Sequence, residues 1–238
     1  MKKITAAFIL LIGSFSALAQ KQFINDADAE VRTINTSFSK IKISGGIDLF
    51  LSQAETEAVA ISASDSKTKE SIKTVIEDGT LKIYVDGDKS WSWKNKHMRA
   101  YVSFKTLEQL HASGACDVQV AGTITVSSLS LQMSGASDFK GMVNVGSLTM
   151  ELSGASDATI GGTAATVNIE SSGASDVKGY DLVTDVCTAR ASGASDINIT
   201  VNKELTADAS GASDIYYKGN AVIKDMHSSG ASTVAKKS

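Results

Sequence analysis

Seven near-identical pentapeptides, variants of Ser-Gly-Ala-Ser-Asp, repeat through the second half of the chain. Their glycines lie 21, 19, 19, 20, 18 and 19 residues apart, at Gly114, Gly135, Gly154, Gly173, Gly193, Gly211 and Gly230. A period near twenty residues is typical of a solenoid, in which each repeat is one coil that buries its apolar face by stacking on its neighbours. The repeat therefore constrains the architecture more strongly than the activity.

Alignment of the repeats on their glycines predicts two strands in each coil. Apolar residues stand six, four and two residues before the glycine, as Leu129, Leu131 and Met133 do before Gly135. This alternation indicates a strand with one buried face. A second alternating segment starts four residues after each glycine. We therefore predict an all-β fold, a right-handed parallel β-helix with about seven coils of 18–21 residues.

The pentapeptide itself is predicted to form the corner between the two strands. Glycine adopts a positive φ without steric penalty, which a sharp bend needs. The alanine that follows every glycine is small enough to point into a crowded bend, so we expect the seven alanines to lie at one depth and to face inward.

The N-terminal part is less regular. Ile41 to Leu51 is predicted to form two strands around a degenerate corner, in which Ser44, Gly46 and Asp48 echo the later repeats. The other predicted elements are a strand at Val59–Ala63, a short helix at Asp65–Ser71 capped by Ser64 or Asp65, and a hairpin turning on Asp78-Gly79. We assign residues 20–105 to an N-terminal β region that caps or leads into a solenoid of residues 106–238.

Residues 1–19 have the pattern of a secretory signal peptide. Lys2 and Lys3 precede an apolar stretch at Phe8–Ile12, and Ala17-Leu18-Ala19 forms a small-residue cleavage site. This predicts export to the periplasm, the cell surface or the medium, and no later stretch is apolar enough to cross a membrane. Loss of the two lysines leaves 21 basic against 26 acidic residues, a net charge of −5 that disfavours nucleic acid as a partner.

The two cysteines of the chain are predicted to be free thiols. Cys116 replaces the second serine of its pentapeptide, whereas Cys187 lies six residues before Gly193. They belong to coils that are far apart in the stack, and bridged Cα atoms must lie within about 7 Å. Cys187 falls on an inward position and is expected to be a small core residue.

Three segments together resemble a known family. They are Gly46-Ile-Asp-Leu-Phe-Leu-Ser-Gln53, Gly79-Thr-Leu-Lys-Ile-Tyr84 and the series of Ser-Gly-Ala-Ser-Asp coils. Over Val31 to Val234 the chain is similar to the autotransporter-adhesin head GIN domain family of exported bacterial proteins. The resemblance implies a β-helical fold and an adhesin-like role, with no established catalytic residues.

An aspartate closes six of the seven pentapeptides and forms the most distinctive candidate site. These residues are Asp117, Asp138, Asp157, Asp176, Asp196 and Asp214. Stacked carboxylates repel each other, so they are expected either to accept nearby backbone N–H groups or to bind a row of calcium ions. A catalytic pair needs unlike environments, whereas this row is uniform and no Lys or Arg is expected to interrupt it. We favour a structural role and predict no catalytic residue, metal or cofactor.

A cluster of aromatic and basic residues is the second candidate. Trp91 and Trp93 alternate and are followed by Lys94 and Lys96. Such a cluster can stack on a sugar or enter a partner, and the alternative is that the tryptophans pack over the first coil. His97, His111 and His227 show no metal-ligand spacing.

Three functional hypotheses follow from the sequence. The preferred one is a non-enzymatic exported β-helix whose flat faces bind a glycan, the envelope or another protein. One alternative is a carbohydrate-active lyase or hydrolase, which would need a cleft of mixed acidic and basic residues near the Trp91 loop. The other alternative is a structural module stabilised by calcium.

Overall fold

The computed structural model describes residue 26, residues 28–86 and residues 97–238. Its N-terminal elements are β1 (Glu30–Arg32), β2 (Lys40–Ser44), β3 (Asp48–Gln53), β4 (Ala58–Ala63), α1 (Ser66–Ser71), β5 (Ile72–Glu77), β6 (Thr80–Val85) and β7 (Met98–Phe104). The solenoid continues through β8 (Gln109–Gly114), β9 (Asp117–Gly135), β10 (Asp138–Leu152), β11 (Ala158–Ser171), β12 (Asp176–Ala191), β13 (Asp196–Gly211), β14 (Asp214–Lys218), β15 (Val222–Gly230) and β16 (Thr233–Lys236). The predicted signal peptide lies outside the described residues.

The coils stack directly on one another as parallel strands. Strands β9 to β13 pair each with the next in parallel, and β13 pairs in parallel with both β14 and β15. Equivalent residues therefore form columns, such as Leu129, Leu148, Val167, Cys187, Leu205 and Ile223. This confirms the predicted parallel β-helix of about seven turns.

The core is the stack of inward columns that the period-2 alternation predicted. Leu131, Met150 and Ile169 are fully buried at equivalent positions before the glycine, and Val118 and Val177 are buried after it. Cys187 is buried in this core and Cys116 in a corner, and both thiols are free, as predicted.

The direction of the corner alanines was predicted wrongly. All seven lie at one depth, but they are exposed, and the residue that points inward is the next one, as with Ser137, Ser156 and Ser175. The reason is a hydrogen bond between coils: the Ala155 N–H donates to the Gly135 carbonyl at 2.7 Å. Because that bond holds the glycine and alanine at the outer tip of the bend, the first inward side chain after the glycine is that of the residue following the alanine.

The N-terminal segments form the elements that the sequence predicted. Asp65 caps helix α1, where its carboxylate accepts the Thr68 N–H at 2.8 Å. The β5–β6 hairpin turns on Asp78 and Gly79, which both have positive φ. Strands β2 and β3 flank a corner of their own, and Ser44 lies opposite Ser113 in the parallel pair of β2 with β8. The solenoid pattern thus begins with β2.

Antiparallel strands lie at the N-terminal end of the stack. Beyond β3 the sheet continues through β7, which is parallel to β3. It then continues through β4, antiparallel to β7, and β1, antiparallel to β4. Glu30 and Arg32 of β1 lie opposite the core positions Ile61 and Val59, and they form an ion pair of 2.7 Å. Charges at core-facing positions discourage further strand pairing.

Candidate functional site

From Gly135 to Gly230, each corner glycine occupies a position that two requirements restrict to glycine. The φ of Gly154 is +83°, and a Cβ atom there would lie 2.5 Å from the Gly135 carbonyl oxygen. Gly135 and Gly173 show the same geometry, with contacts of 2.5 and 2.4 Å to the carbonyl of the preceding coil. The corner is therefore a column of backbone in direct contact, which leaves no room for a ligand between coils.

The aspartate ladder lies on the outer side of this corner. The carboxylates from Asp138 to Asp196 each accept the backbone N–H of the next aspartate: Asp157 N–H to Asp138 at 3.3 Å, Asp176 N–H to Asp157 at 3.2 Å, Asp196 N–H to Asp176 at 3.3 Å and Asp214 N–H to Asp196 at 3.2 Å. These bonds compensate part of the repulsion within the row. The acceptance of backbone N–H groups was one of the two expectations from the sequence.

One feature of the ladder was predicted wrongly. Lys178 interrupts the row, because its Nζ lies 3.1 Å from Oδ2 of Asp157. The lysine stands two residues after Asp176 in the next coil, so its side chain lies on the same face as the aspartates. Asp48, which the sequence placed at a degenerate corner echoing the later repeats, extends the row, since Leu49 lies opposite Val118.

Burial and like charges raise the pKa of several ladder carboxyls. Burial, and then the charge of Asp138, raise the pKa of Asp117. For Asp48, burial and then the charge of Asp117 raise the pKa, although Arg99 and His97 act in the opposite direction. Burial also raises the pKa of Asp196, which the N–H of Asp214 partly offsets. Among the described residues, no three His, Cys, Asp or Glu side chains are grouped closely enough to hold a metal ion.

A second row of side chains lies before the corner and was not predicted as a site. It stands three residues before each glycine and comprises His111, Gln132, Glu151, Glu170, Arg190, Asp208 and His227, all in register. We name it the mixed column. The mixed column faces outward. Its positions lie between the inward positions four and two residues before each glycine, so the repeat includes it. Its varied residue types concealed it, because only identical residues stand out in a repeat.

Two further columns flank the mixed column. One residue before each glycine is a serine: Ser113, Ser134, Ser153, Ser172, Ser192, Ser210 and Ser229. Five residues before the glycine stand Gln109, Ser130, Thr149, Asn168, Thr188, Thr206 and Asp225. We call the three columns together the polar face. Its rungs repeat at the strand spacing of about 4.8 Å.

Hydrogen bonds join the mixed column along the stack. The amide oxygen of Gln132 lies 3.2 Å from Nδ1 of His111, and Nε2 of Gln132 donates to Glu151 at 3.2 Å. Further along, Arg190 donates to Glu170 at 3.3 Å. Glu151 and Glu170 lie opposite each other, and two ionised carboxylates cannot hydrogen-bond, so the chain of bonds is interrupted between them.

A shallow depression of about 330 Å³ lies at this interruption. It is lined by His111, Gln132, Glu151 and Glu170 of the mixed column and by Ser134, Ser153 and Ser172 of the serine column, among others. The polar face thus has an indented centre that is rich in hydrogen-bond acceptors. The other predicted site residues, Trp91, Trp93, Lys94 and Lys96, lie outside the described residues.

A family model matches residues 37–221, a segment that contains most of the corners and of the polar face. It describes "Putative auto-transporter adhesin, head GIN domain". The chain belongs to this family. The resemblance seen in the sequence is thereby confirmed.

Solved structures share the fold of this head GIN protein. One, described as a "putative adhesin" from Bacteroides fragilis, has a TM-score of 0.78 and 21% identity, over 89% of this chain and 98% of its own. Another, a "putative adhesin" from Parabacteroides merdae, has a TM-score of 0.68 and 19% identity, over 88% and 95%. A "putative lipid binding protein" from Parabacteroides distasonis has a TM-score of 0.66 and 19% identity, over 90% and 98%. No curated protein matches the chain.

The head GIN chain has no helix, within its described residues, that is long and apolar enough to span a membrane. Its helix α1 has six residues, and every other element described is a strand.

Proposed function

We propose that this head GIN protein is an exported, non-enzymatic binding protein with an adhesin-like role, which holds an extended polymer along its polar face. The family's adhesin description supports a binding role, and the sequence pattern of residues 1–19 supports export. The partner is a glycan or another envelope component. Trp91, Trp93, Lys94 and Lys96 are proposed as a secondary contact.

The observation that carries this proposal is the register of the polar face. Three columns of hydroxyl, amide and charged side chains repeat at every coil, and the strands beneath them hold their spacing. A surface with one rung per coil offers the same contacts to each unit of an extended polymer. Weak contacts along such a surface add together, as they do in multivalent binding.

The non-enzymatic part of the proposal is supported by the arrangement of the carboxylates. A catalytic acid and base need environments that separate their pKa values. In the aspartate ladder the same backbone hydrogen bond recurs from coil to coil, as in Asp138 and Asp176. Glu151 and Glu170 both lie exposed in an open depression, where water has access to both carboxylates.

Obstruction of the polar face tests the proposed function. Ser153 is exposed at the centre of the serine column, so Ser153→Arg should place a bulky side chain over the depression without disturbing the core. Thr159→Arg is the matched control. Thr159 is also exposed, but it lies after the corner, two residues beyond Asp157, and is not part of the polar face. Both variants add one positive charge. On an array of neutral, acidic and amino polysaccharides, Ser153→Arg should lose at least tenfold in binding and Thr159→Arg should not.

Equal binding by both variants would show that the polymer does not lie on the polar face. A separate Trp91→Ala/Trp93→Ala variant tests the secondary contact, which predicts a partial loss on the same array. Incubation with polyuronides should release no unsaturated products, and their release would instead support the lyase alternative.

A further inference from the structure

The central depression of the polar face has mainly hydrogen-bond acceptors left to offer a ligand. Both polar atoms of the Gln132 side-chain amide are already engaged, the oxygen by Gln109 and His111 and the nitrogen by Glu151. Glu151 and Glu170 each have one oxygen engaged from outside the pair, by Gln132 and Arg190 respectively. An ionised carboxylate has about four lone-pair sites, so each retains free acceptor positions.

The geometry of the two glutamates suits hydroxyl groups that come from one polymer. They stand directly opposite each other in β10 and β11, and the serines Ser153 and Ser172 lie beside them in the same depression. Hydrogen bonds from a neutral donor to a charged acceptor are stronger than bonds between neutral groups. A sugar unit carries several hydroxyl donors on its edges, and successive units of an extended polysaccharide can occupy successive coils.

Charge excludes one class of polymer from the same place. A uronate, sulfate or phosphate group would have to approach two carboxylates, of which Arg190 bonds only one. The chain as a whole is also acidic, with a net charge of −3.

Resting on the proposed function, we infer that the polar face binds a neutral, hydroxyl-rich linear polysaccharide, whose hydroxyl groups donate to Glu151 and Glu170 in the central depression. The two glutamates set specificity: they accept from a neutral sugar and reject an acidic one. The serine and outer columns extend the contact to the neighbouring coils.

Glu151→Gln and Glu170→Gln test the role of the charged acceptors. Each keeps the shape of the side chain and removes the charge, and Glu204→Gln is the control. Glu204 lies in β13, outside the three columns of the polar face and away from β10 and β11, and it pairs with Lys224 at 3.2 Å. The probes are cellohexaose for the neutral class, hexagalacturonate for the acidic class and chitosan hexamer for the cationic class. Binding is measured by calorimetry on the purified full chain.

Cellohexaose should bind the parent chain, and each of the two glutamine variants should weaken it by about tenfold while Glu204→Gln leaves it unchanged. Its affinity should not change between low and high salt, because the ligand is uncharged. Lack of cellohexaose binding at millimolar concentration overturns the inference. The inference is also overturned if hexagalacturonate binds more tightly than cellohexaose. It is overturned as well if the chitosan hexamer binds more tightly and its affinity depends strongly on salt.

The variant Ser153→Arg distinguishes a wrong ligand class from a wrong binding surface. If it abolishes binding of an acidic or cationic probe, the polar face is a binding surface and only the ligand class is wrong. If a probe binds and Ser153→Arg has no effect on it, the proposed function fails as well. Thermal melts of every variant, matched to the parent, establish that the fold is intact.

Discussion

At the scale of single residues, glycine meets two separate demands in this fold. Gly122 and Gly154 have nearly the same φ, +80° and +83°. No atom lies within 4 Å of a Cβ placed on Gly122, whereas a Cβ on Gly154 would lie 2.5 Å from a backbone carbonyl oxygen. The pair therefore separates the cost of a left-handed conformation from the cost of a clash between coils.

Gly122→Ala should lower the free energy of unfolding by about 1–2 kcal/mol, the cost of a side chain in the left-handed region. Gly154→Ala should cost distinctly more, because the neighbouring backbone must also move apart. Urea denaturation of the two variants and the parent measures both costs. Equal losses would show that the contact between coils contributes nothing.

The two buried cysteines occupy opposite kinds of environment. Cys116 lies in the serine position of the corner, where its Sγ–H group donates to the Ser113 carbonyl at 3.3 Å. Cys187 lies between Val167 and Leu205 in the apolar core, and burial raises the pKa of its thiol to about 12. A serine hydroxyl at position 116 could donate to the Ser113 carbonyl, whereas one at position 187 would be surrounded by apolar side chains.

Cys116→Ser should therefore change the free energy of unfolding by less than about 1 kcal/mol. Cys187→Ser should reduce it by about 1–3 kcal/mol, the cost of burying a hydroxyl among apolar side chains. Chemical denaturation under reducing conditions compares them. Similar losses for the two variants would contradict the distinction between corner and core.

The residues that the sequence predicted correctly are those whose role depends on local geometry alone. Leu131 and Met150 were placed in the core because strand alternation fixes which side chains share a face. The outward direction of Ala155 was missed, since it depends on a hydrogen bond to Gly135 in another coil. The mixed column was missed for a related reason: its members become neighbours only when the coils are stacked.

At the scale of one element, the aspartate ladder changes character along its length. The carboxylates from Asp138 to Asp196 each accept the N–H of the next aspartate. The Asp138 N–H, in contrast, donates to the Cys116 carbonyl at 3.1 Å and not to the carboxylate of Asp117. Asp117 thus lies beside another carboxylate without the bond that compensates the later pairs.

This difference predicts an effect of pH on stability. The pKa of Asp117 is raised in the folded chain, so the folded state binds its proton more tightly than the unfolded state does. The free energy of unfolding therefore falls as the pH rises from 3.8 through the raised value. Asp117→Asn should increase Tm by about 1 °C at pH 7 and by less at pH 3.5.

Asp157→Asn is the control for this effect. Asp157 accepts the Asp176 N–H and pairs with Lys178, so its replacement should bring no gain in Tm at pH 7. Calorimetric melts at the two pH values compare the variants. A gain for Asp157→Asn equal to that for Asp117→Asn would show that simple charge reduction, and not the missing hydrogen bond, determines the result.

Gln53, the last residue of β3, forms hydrogen bonds to neighbouring backbone through its side-chain amide. The Nε2 of Gln53 donates to the carbonyls of Lys105 and Thr125 at 2.9 and 3.0 Å, and its Oε1 accepts the Thr125 N–H at 2.8 Å. The pairing of β3 with β9 stops at Ser52, so the side chain of Gln53 bridges the two strands beyond that point. No pattern in the sequence distinguishes this glutamine from an exposed one.

Gln53→Ala should reduce the free energy of unfolding by about 1–3 kcal/mol through the loss of three hydrogen bonds in a partly exposed site. The Thr125 amide should exchange its hydrogen at least about tenfold faster, because it loses its acceptor. Gln119→Ala, at an exposed position in β9, is the control. Unchanged protection of Thr125 would contradict the bridging role.

At the scale of the whole molecule, the solenoid is a one-dimensional stack whose two ends differ. Each inner coil packs between two neighbours, and its stability depends on both interfaces. At the N-terminal end, β1 presents the Glu30–Arg32 ion pair at core-facing positions. Within the described residues, β15 has β13 as its one strand partner, and Val222 and Met226 are 64% and 43% exposed.

Stability should therefore be lowest in the coil formed by β15 and β16. Leu148 is fully buried between Leu129 and Val167, whereas Ile223 in β15 is only partly buried against the core. Leu148→Ala should lower the free energy of global unfolding by about 2–5 kcal/mol. Ile223→Ala should leave the global transition nearly unchanged and accelerate hydrogen exchange in β15 alone.

Hydrogen exchange followed by mass spectrometry distinguishes local from global opening. In the parent chain, amides of β15 should exchange before those of β11 and β12, which have partners on both sides. Leu148→Met keeps the side-chain volume and should cost less than about 1.5 kcal/mol. If Ile223→Ala lowered the global transition as much as Leu148→Ala does, the stack would unfold as a single unit and its coils would have no separate stabilities.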